Sequence, residues 1–389
     1  MSVPTVKVEV AFSTDPGATP AWTDVSEFVR AVRIKRGRSH ELDKVEAGTA
    51  TIRLKNTDGR FDPTLASSPY APNVRPMRRV RIRGTWLGVT YDRFHGYIED
   101  WPQGWTRGPA GDAWVEVHAV DAFKVLALAD VNTTRPAELS GTRVGAILDE
   151  VGWPAADRDI NAGISTVQAV TLEDERALSH LQTVELTEGG ILFVSREGKI
   201  TFLDRTVPIT STLDAANLTW GDSGLEKDYA EVSTTFDDSQ IWNEAKVTAP
   251  GLTDQTAEDT ASQTRYFKRT KLESGLWDDQ NEMDSRADYI VARFAEPALR
   301  VEGLDLSSAR GDDSQWPHIL ERELHDKVRV RKRPVGGGTI SQDSFLEGTS
   351  EDIRQGVWDT VWNLSPLDAI TDYWIWGTST WGETTRFYW

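Results

Sequence analysis

Alternation of apolar and polar side chains along the first 120 residues constrains the fold of this chain more strongly than any other feature. Apolar residues occupy every second position in several short runs, and Arg, Lys or Thr mostly fill the positions between them. A period of two places each set of side chains on its own face of a β-strand, so the runs predict strands with one buried face. The predicted strands cover residues 32–35, 50–55, 79–83, 94–98 and 114–120. Turn signals such as Asp58-Gly59 separate them, and the pattern is typical of a β-sandwich or barrel.

The middle of the chain predicts helices as well as strands. Apolar residues recur at helical spacing over residues 144–151, so we expect a short helix that Thr142 caps. A second helix is expected to begin near Thr171. Glu173 and Asp174 would then lie in its first turn, where the helix dipole favours acidic side chains.

The second half of the chain returns to a strand pattern around one clear helix. An apolar stripe and the following Pro297 predict a helix over residues 279–296. We expect a polar loop over residues 253–263, and strands over residues 191–194, 199–203, 243–248, 265–271, 299–306 and 327–331. The aromatic segment 373–389 is expected to dock on the chain itself or on a partner. Its candidate contact residues are Trp374, Trp376, Trp381 and Trp389.

Charge is distributed unevenly along the sequence. The net charge is −18, yet residues 30–93 contain 15 Lys and Arg against 6 Asp and Glu. A basic face of this kind attracts either nucleic-acid phosphates or an acidic protein surface. No DNA- or RNA-recognition motif accompanies the basic residues, so we favour contact with an acidic copy or neighbour. The candidate contact residues are Arg33, Lys35, Arg53 and Lys55, on one face of two predicted strands.

The sequence contains no recognisable catalytic or cofactor-binding motif. It has no cysteine, and its six histidines lack the HExxH spacing of a zinc site. Walker, GxGxxG and GxSxG motifs are missing, and the acidic clusters 254–259 and 278–282 lack the spacing of a calcium-binding loop. Residue types alone still allow two facing carboxylates, as in glycosidases. We expect a protein without catalytic residues, cofactor or metal, and, with no signal peptide and no apolar run of about 20 residues, no stable membrane insertion.

One segment resembles a known family. The stretch from Asp24 to Pro63 resembles the N-terminal part of minor tail proteins from siphophages that infect actinobacteria. The positions that match the family pattern are Asp24, Val25, Val29, Arg36, Gly37, Arg38, Leu42, Asp43, Ala47, Gly48, Leu54, Asn56, Asp58, Arg60, Phe61, Asp62 and Pro63. Shorter similarities to the same family follow at residues 242–247, 259–266, 279–297 and 326–330.

This resemblance implies a fold similar to the baseplate-hub proteins of contractile tails. Such a fold is mainly β with α+β insertions, and has two tail-tube-like β-barrel or sandwich modules plus a mixed helical middle region. On this template we expect a first β-barrel hub domain over residues 1–125, a mixed α/β domain over 126–230 and a second β-barrel hub domain over 231–348. A Trp-rich segment, 349–389, would follow. Because only about 40 residues of this sequence follow Gly348, we expect it to lack the peptidoglycan-cleaving domain that many hub proteins carry.

The resemblance also implies a location and partners. It predicts a homotrimeric ring at the distal end of the phage tail in the virion, where it closes the tail tube. Its partners would be the distal tail protein, the tape-measure protein and downstream tip or receptor-binding proteins. Genomic DNA would pass through transiently without sequence-specific binding. Two alternatives remain open: the distal tail protein itself, which forms hexamers, and a protein that binds or cleaves carbohydrate at the host surface.

Overall fold

The computed structural model describes residues 2–107, 112–207, 219–224, 226–308, 310 and 313–367. Strands dominate this part of the chain, which confirms the predicted mainly β fold with a few helices. The helices are α1 (Phe123–Leu128), α2 (Ser140–Glu150), α3 (Ala177–Glu188), α4 (Thr260–Tyr266), α5 (Gln280–Phe294) and α6 (Trp316–Glu321).

The strands fall into two series that the helices interrupt. The first series is β1 (Thr5–Val10), β2 (Thr23–Asp24), β3 (Val29–Gly37), β4 (Glu46–Lys55), β5 (Arg79–Trp86), β6 (Val89–Asp100), β7 (Gln103–Trp105), β8 (Ala113–Val120), β9 (Asp130–Arg135), β10 (Glu138–Leu139), β11 (Arg158–Ile160), β12 (Thr166–Val167), β13 (Val170–Arg176), β14 (Ile191–Val194) and β15 (Ile200–Leu203). The second series is β16 (Thr219–Trp220), β17 (Glu231–Thr235), β18 (Glu244–Thr248), β19 (Gln255–Glu258), β20 (Thr270–Ser274), β21 (Arg300–Leu306), β22 (Lys327–Lys332), β23 (Ile340–Arg354) and β24 (Val357–Pro366).

The N-terminal strands form what we call the first module, β1 and β3–β8. Its main hydrogen-bonding order is β1-β5-β6-β8-β4-β3. Buried and less buried residues alternate along β5 and β8, as the period-two pattern predicts. The inward side chains, among them Val80, Ile82 and Val117, belong to one apolar cluster with those of β1 and β3, so both ends of the strand order share a single interior.

The C-terminal strands form the second module, β16, β17 and β21–β24. Its order is β16-β22-β23-β24-β21-β17, which repeats the order of the first module position by position. The two modules meet where β23 pairs with β3 in antiparallel register, from Gly348 opposite Gly37 to Arg354 opposite Ala31. We call this pair of strands the seam. It makes one 14-stranded sheet from both modules, with an apolar cluster common to both.

Two smaller units lie outside the large sheet. The middle unit, residues 122–203, has its own apolar cluster around α2 and α3, with Val144, Ile147 and Leu181 fully buried. The third unit, residues 244–295, packs α5 on the strands β19-β18-β20 and is inserted between β17 and β21. The chain therefore interrupts the second module once to build a separate small core.

The structure corrects four local predictions. Thr142 does not cap a helix, because α2 already begins at Ser140. No helix begins at Thr171, because that residue lies in β13, which pairs with β9; the helix α3 starts only at Ala177. The acidic pair falls at an irregularity of this strand, where Asp174 has φ 53°. The predicted strand 265–271 is largely the end of α4 and a loop, and the predicted polar loop 253–263 contains β19 and most of α4.

In the second half of the chain, the predicted helix agrees with the structure, whereas one predicted domain boundary differs from it. The helix predicted over residues 279–296 is α5, and the Asp279 side chain accepts a hydrogen bond from the Asn281 backbone N–H at its start. The sheet continues past the predicted boundary at residue 348, because β23 and β24 extend to Pro366. The Trp-rich end of the chain lies outside the described residues.

Candidate assembly surface

The segment Arg36-Gly37-Arg38 ends β3 at the point where both modules and the middle unit meet. Arg36 is 5% exposed. Its guanidinium forms an ion pair with Glu323 and donates a hydrogen bond of 3.0 Å to the backbone oxygen of Val194 in the middle unit. The first of the two arginines therefore joins β3 to β14 and to the loop before β22.

Gly37 brings two backbones into contact at the end of the seam. Its φ is +90°, and a Cβ atom there would lie 2.2 Å from the backbone oxygen of Glu347. Only glycine fits this position without a shift of one backbone. Packing between the modules therefore explains the middle residue of the RGR segment.

Arg38 adds a buried ion pair to the same junction. Its Nε lies 2.6 Å from Oε2 of Glu347, and both side chains are more than 90% buried. Burial lowers the pKa of Arg38, but the charge and hydrogen bond of Glu347, together with the charges of Glu185 and Glu41, outweigh burial, so the net pKa is raised. Each residue of the segment thus makes a tertiary contact within the chain.

A second buried ion pair links the two modules at the middle of the seam. Arg93 on β6 and Glu351 on β23 are each 1% exposed, and the Nη2 to Oε1 distance is 2.6 Å. The other carboxylate oxygen accepts a 3.0 Å hydrogen bond from Nε1 of Trp358. Both charges are therefore neutralised and hydrogen-bonded, which is the arrangement that buried ions require.

The third unit is tied to the same region through the β3–β4 loop. Glu41 accepts hydrogen bonds from Arg293 on α5, and Arg293 also donates to the backbone oxygen of Pro366 at 2.6 Å. The backbone N–H of Glu41 donates to Ser365. The loop after the RGR segment thus contacts the second module and the third unit together.

The four predicted cationic contact residues lie on the outward side of β3 and β4. Arg33 and Lys35 are 74% and 62% exposed at the side chain. Arg53 stacks over the ring of Trp114 at 4.5 Å from its centroid, and Lys55 is exposed at the end of β4. A shallow depression of about 330 Å³ follows the seam on this face.

Acidic residues continue the same outward face into the second module. Asp352 on β23 lies 3.7 Å from Arg33, and Asp359 follows on β24. On β21, burial raises the pKa of Asp305, and the nearby charges of Asp359 and Glu231 raise it further. The outward face is therefore basic on the first module and acidic on the second. The predicted contact residues Trp374, Trp376, Trp381 and Trp389 lie outside the described residues.

Two buried carboxyl groups flank the junction. Burial raises the pKa of Glu185 on α3 to about 7, against the opposing charges of Arg38 and Lys44. Burial likewise raises the pKa of Asp121 to about 7, although its carboxylate accepts backbone hydrogen bonds from Gly48 and Phe123. Both groups bind backbone N–H groups: Glu185 accepts a hydrogen bond from Leu192, and Asp121 accepts one from Gly48.

Within the described ranges, no group of three or more His, Asp or Glu residues is placed to hold a metal ion. The candidate calcium ligands have other partners: Asp254 pairs with Lys246 at 2.8 Å, and Asp259 and Asp279 cap α4 and α5. None of the described helices is long and apolar enough to cross a membrane.

Comparison with solved structures places this architecture in a class: the fold is that of phage tail proteins. No family model matches the sequence. No curated protein matches it either. The agreement is therefore one of fold, and this fold is the one that the sequence resemblance implies.

Three solved structures illustrate the match over nearly the whole chain. A tail protein from Neisseria meningitidis MC58 superposes with a TM-score of 0.60 at 13% identity, covering 94% of this chain and 98% of that one. The 43 kDa tail protein of prophage MuSo2 from Shewanella oneidensis gives 0.61 at 11% identity, covering 94% and 99%. The prophage tail protein gp18 from Listeria monocytogenes EGD-e gives 0.50 at 9% identity, covering 94% and 96%.

The sequence indicated the RGR segment but not the buried ion pairs between the two modules. Glu347 and Glu351 lie in β23 more than 300 and 250 residues from Arg38 and Arg93 in the chain, so no local pattern connects them. Their one sequence signal is an acidic residue at an inward position of a strand, which needs a buried cation. The exposed Trp105 on β7 was also missed, because its exposure depends on the tertiary structure.

Proposed function

We propose that this chain is a structural component of a phage tail and forms a homotrimeric ring, the hub, at the distal end of the tube. The observation that carries the proposal is the repeated strand order of the two modules within one sheet. A chain with two equivalent modules can present six equivalent units as three copies, which matches a ring on a six-fold tube. The domain limits expected from the sequence near residues 125 and 230 remain part of this proposal, whereas the last limit moves from residue 348 to the end of β24 at Pro366.

The proposed partners follow from a position between the tube and the host-facing tip. One face of the ring would contact the distal tail protein and the other the tip or receptor-binding proteins. The end of the tape-measure protein would lie at the channel, and DNA would pass through transiently. The outward basic residues Arg33, Lys35, Arg53 and Lys55 are proposed to contact an acidic subunit surface, and the Trp-rich segment to be a second contact.

A non-catalytic role is supported by the chemistry of the buried charges. In the described residues the perturbed carboxyls Glu185 and Asp121 are hydrogen-bonded to backbone N–H groups. Glu185 also lines a cavity of about 270 Å³, in which the neighbouring Arg38 and Arg286 form ion pairs with Glu347 and Glu273. We therefore propose that these charges join the units of the hub.

Labelling the chain in assembled particles tests the proposal. A peptide tag in the exposed turn at Gly336–Gly338, detected by electron microscopy with an antibody fragment, is expected to mark one end of each tail. Counting copies per particle separates the hub from the distal tail protein, since the hub predicts three and a distal tail hexamer six. Label along the tail shaft or on the capsid would contradict the proposal.

A further inference from the structure

The two modules match beyond strand order, at a shared irregularity. The register between β6 and β8 shifts between Ile98 and Asp100, and the register between β23 and β24 shifts between Leu346 and Gly348. In each module the residue after the shift pairs with β8 or β24 in the same way: Asp100 lies opposite His118, and Gly348 opposite Asn363. Asp100 is thus the counterpart of Gly348.

The same equivalence continues along the chain after Asp100. It shows which strand of the first module corresponds to the part of β23 that forms the seam. Beyond the irregularity, Trp105 on β7 pairs with Ala113. In the second module Ile353 pairs with Trp358 at the corresponding distance along β23 and β24. β7 therefore corresponds to the part of β23 that forms the seam, and Trp105 corresponds to Ile353.

The other side of the seam has a counterpart as well. Strand β3 corresponds to β17, because each is the last strand in the order of its module. Val32 lies opposite Ile52, and Val232 lies opposite Leu304. Val32 and Ile353, which face each other across the seam, are 0% and 4% exposed.

The counterparts of these two buried residues are exposed or only partly buried in a single copy of the chain. Trp105 is 66% exposed, and Val232 is only partly buried. Among the described residues, β17 pairs with β21 on one side only, and its other edge carries no ladder. A single chain therefore forms one seam. The two strands that correspond to its partners, β7 and β17, do not pair with each other within the chain.

We propose that a second copy of this chain completes the second seam: β7 of one copy pairs with β17 of the next. The equivalence sets the register, with Trp105 opposite Val232 and Thr106 opposite Glu231, as Ile353 lies opposite Val32 and Arg354 opposite Ala31. An unpaired strand edge next to an exposed tryptophan is the kind of surface that another strand covers. Arg107, next to Thr106, also brings a positive charge to the acidic side formed by Glu231 and Asp305.

The contact joins different surfaces of two identical chains. Such head-to-tail contacts build a closed ring when the rotation closes, and a filament otherwise. Closure with three copies rests on the proposed function, whereas the contact itself rests on the register of the two modules. The residues Thr106 and Glu231 are exposed: Thr106 follows β7, which pairs with β8 in the first module, and Glu231 begins β17 at the edge of the second module.

Disulfide trapping in the full-length protein tests the register, because the chain has no cysteine of its own. We expect the double variant Thr106→Cys with Glu231→Cys to give covalent dimers and trimers under mild oxidation, since directly opposite residues in adjacent antiparallel strands are close enough for a disulfide. Mixing the two single variants should give dimers only. The double variant Ala31→Cys with Arg354→Cys is the positive control, because its disulfide forms within one chain.

A second pair of variants tests the role of the exposed tryptophan. Trp105→Ser in the double-cysteine protein is expected to reduce cross-linking at least tenfold, whereas Leu128→Ser, equally exposed at 66% in the middle unit, should leave it unchanged. Monomer with free thiols at 106 and 231, while the positive control oxidises, would overturn the proposal. A disulfide between 106 and 231 within a single chain would overturn it too.

The cross-linking experiment tests the contact between copies, and its result does not depend on whether the protein is part of a phage tail. Cross-linked rings from a chain that is absent from tails would contradict the tail function and leave the contact standing. A chain that labels the tail end but shows no 106–231 disulfide in assembled particles would contradict the contact alone.

Discussion

Gly37 and its two arginine neighbours concentrate the contacts between the modules in three residues. Arg36 reaches the middle unit, Gly37 touches the backbone of β23, and Arg38 neutralises the buried Glu347. A sequence motif of this kind is easily taken for a binding site, because arginines flanking a glycine also suit phosphate. Here all three residues have partners within the chain, so the motif acts through packing.

Replacing Gly37 by alanine tests this reading. The positive φ and the 2.2 Å approach of a Cβ to the Glu347 oxygen predict a loss of at least about 2 kcal/mol in the free energy of unfolding. Gly145→Ala is the matched control: this glycine is inside α2 with open space around it, so alanine should stabilise the chain by up to about 1 kcal/mol. Thermal and denaturant unfolding give both values. Equal stability of the two variants would contradict the account.

Glu185 predicts a pH dependence of stability. Its pKa is about 7 in the folded chain against 4.5 for the ordinary group, so the folded state holds the proton more tightly. Its contribution is therefore fully present below about pH 4.5 and is lost as the pH rises to about 7, by up to about 3 kcal/mol. Glu185→Gln keeps an oxygen for the Leu192 N–H and should flatten this dependence between pH 5 and pH 8. An identical slope of melting temperature against pH in both proteins would refute the assignment.

At the scale of strands and helices, the local sequence predicted individual strands but not which distant strands pair with each other. The period-two runs predicted β3, β4, β5 and β8, since one face of each is buried in the module. The pairing of β3 with β23 could not be predicted, because it joins residues more than 300 positions apart. The same limit applies to the candidate surface. The exposure of Arg33 and Lys35 could be predicted from strand alternation. The position of Asp352 and Asp359 on the same face could not, because it depends on the pairing of distant strands.

The misassigned helix shows how tertiary pairing overrides local signals. The helical spacing of Leu178, Leu181 and Val184 is real, but it begins at Ala177. Residues before it pair with β9, which supplies the hydrogen bonds that a first helical turn would have made. Acidic side chains near Thr171 therefore lie on a strand, where the helix-dipole argument has no application.

Charge reversal on the outward face of β3 tests the proposed assembly surface. Arg33→Glu with Lys35→Glu should block incorporation into particles and leave the chain folded, because both side chains are largely exposed and their ion pairs are worth at most about 1 kcal/mol each. Lys199→Glu with Lys246→Glu, two lysines outside the modules whose side chains are each 42% exposed, is the control. Normal particle assembly with the reversed β3 face would count against this surface.

At the scale of the whole molecule, the chain is two equivalent modules joined side by side, with two smaller units attached. The middle unit connects the modules in sequence, and the third unit occupies the connection between β17 and β21. In the first module the corresponding connection is the short β3–β4 loop. The seam, with its buried ion pairs, fixes how the modules lie relative to each other. A fixed relation between two equivalent modules is what a ring requires of each copy.

The central claim is that three such chains close a ring at the end of a phage tail. A single-particle reconstruction of that end, calculated without imposed symmetry, tests it most directly. We predict three copies, six modules around the channel, and continuous strand pairing both at β3–β23 within each chain and at β7–β17 between chains. A single copy, a ring of six chains, or density in which this fold lies away from the tube end would contradict the claim.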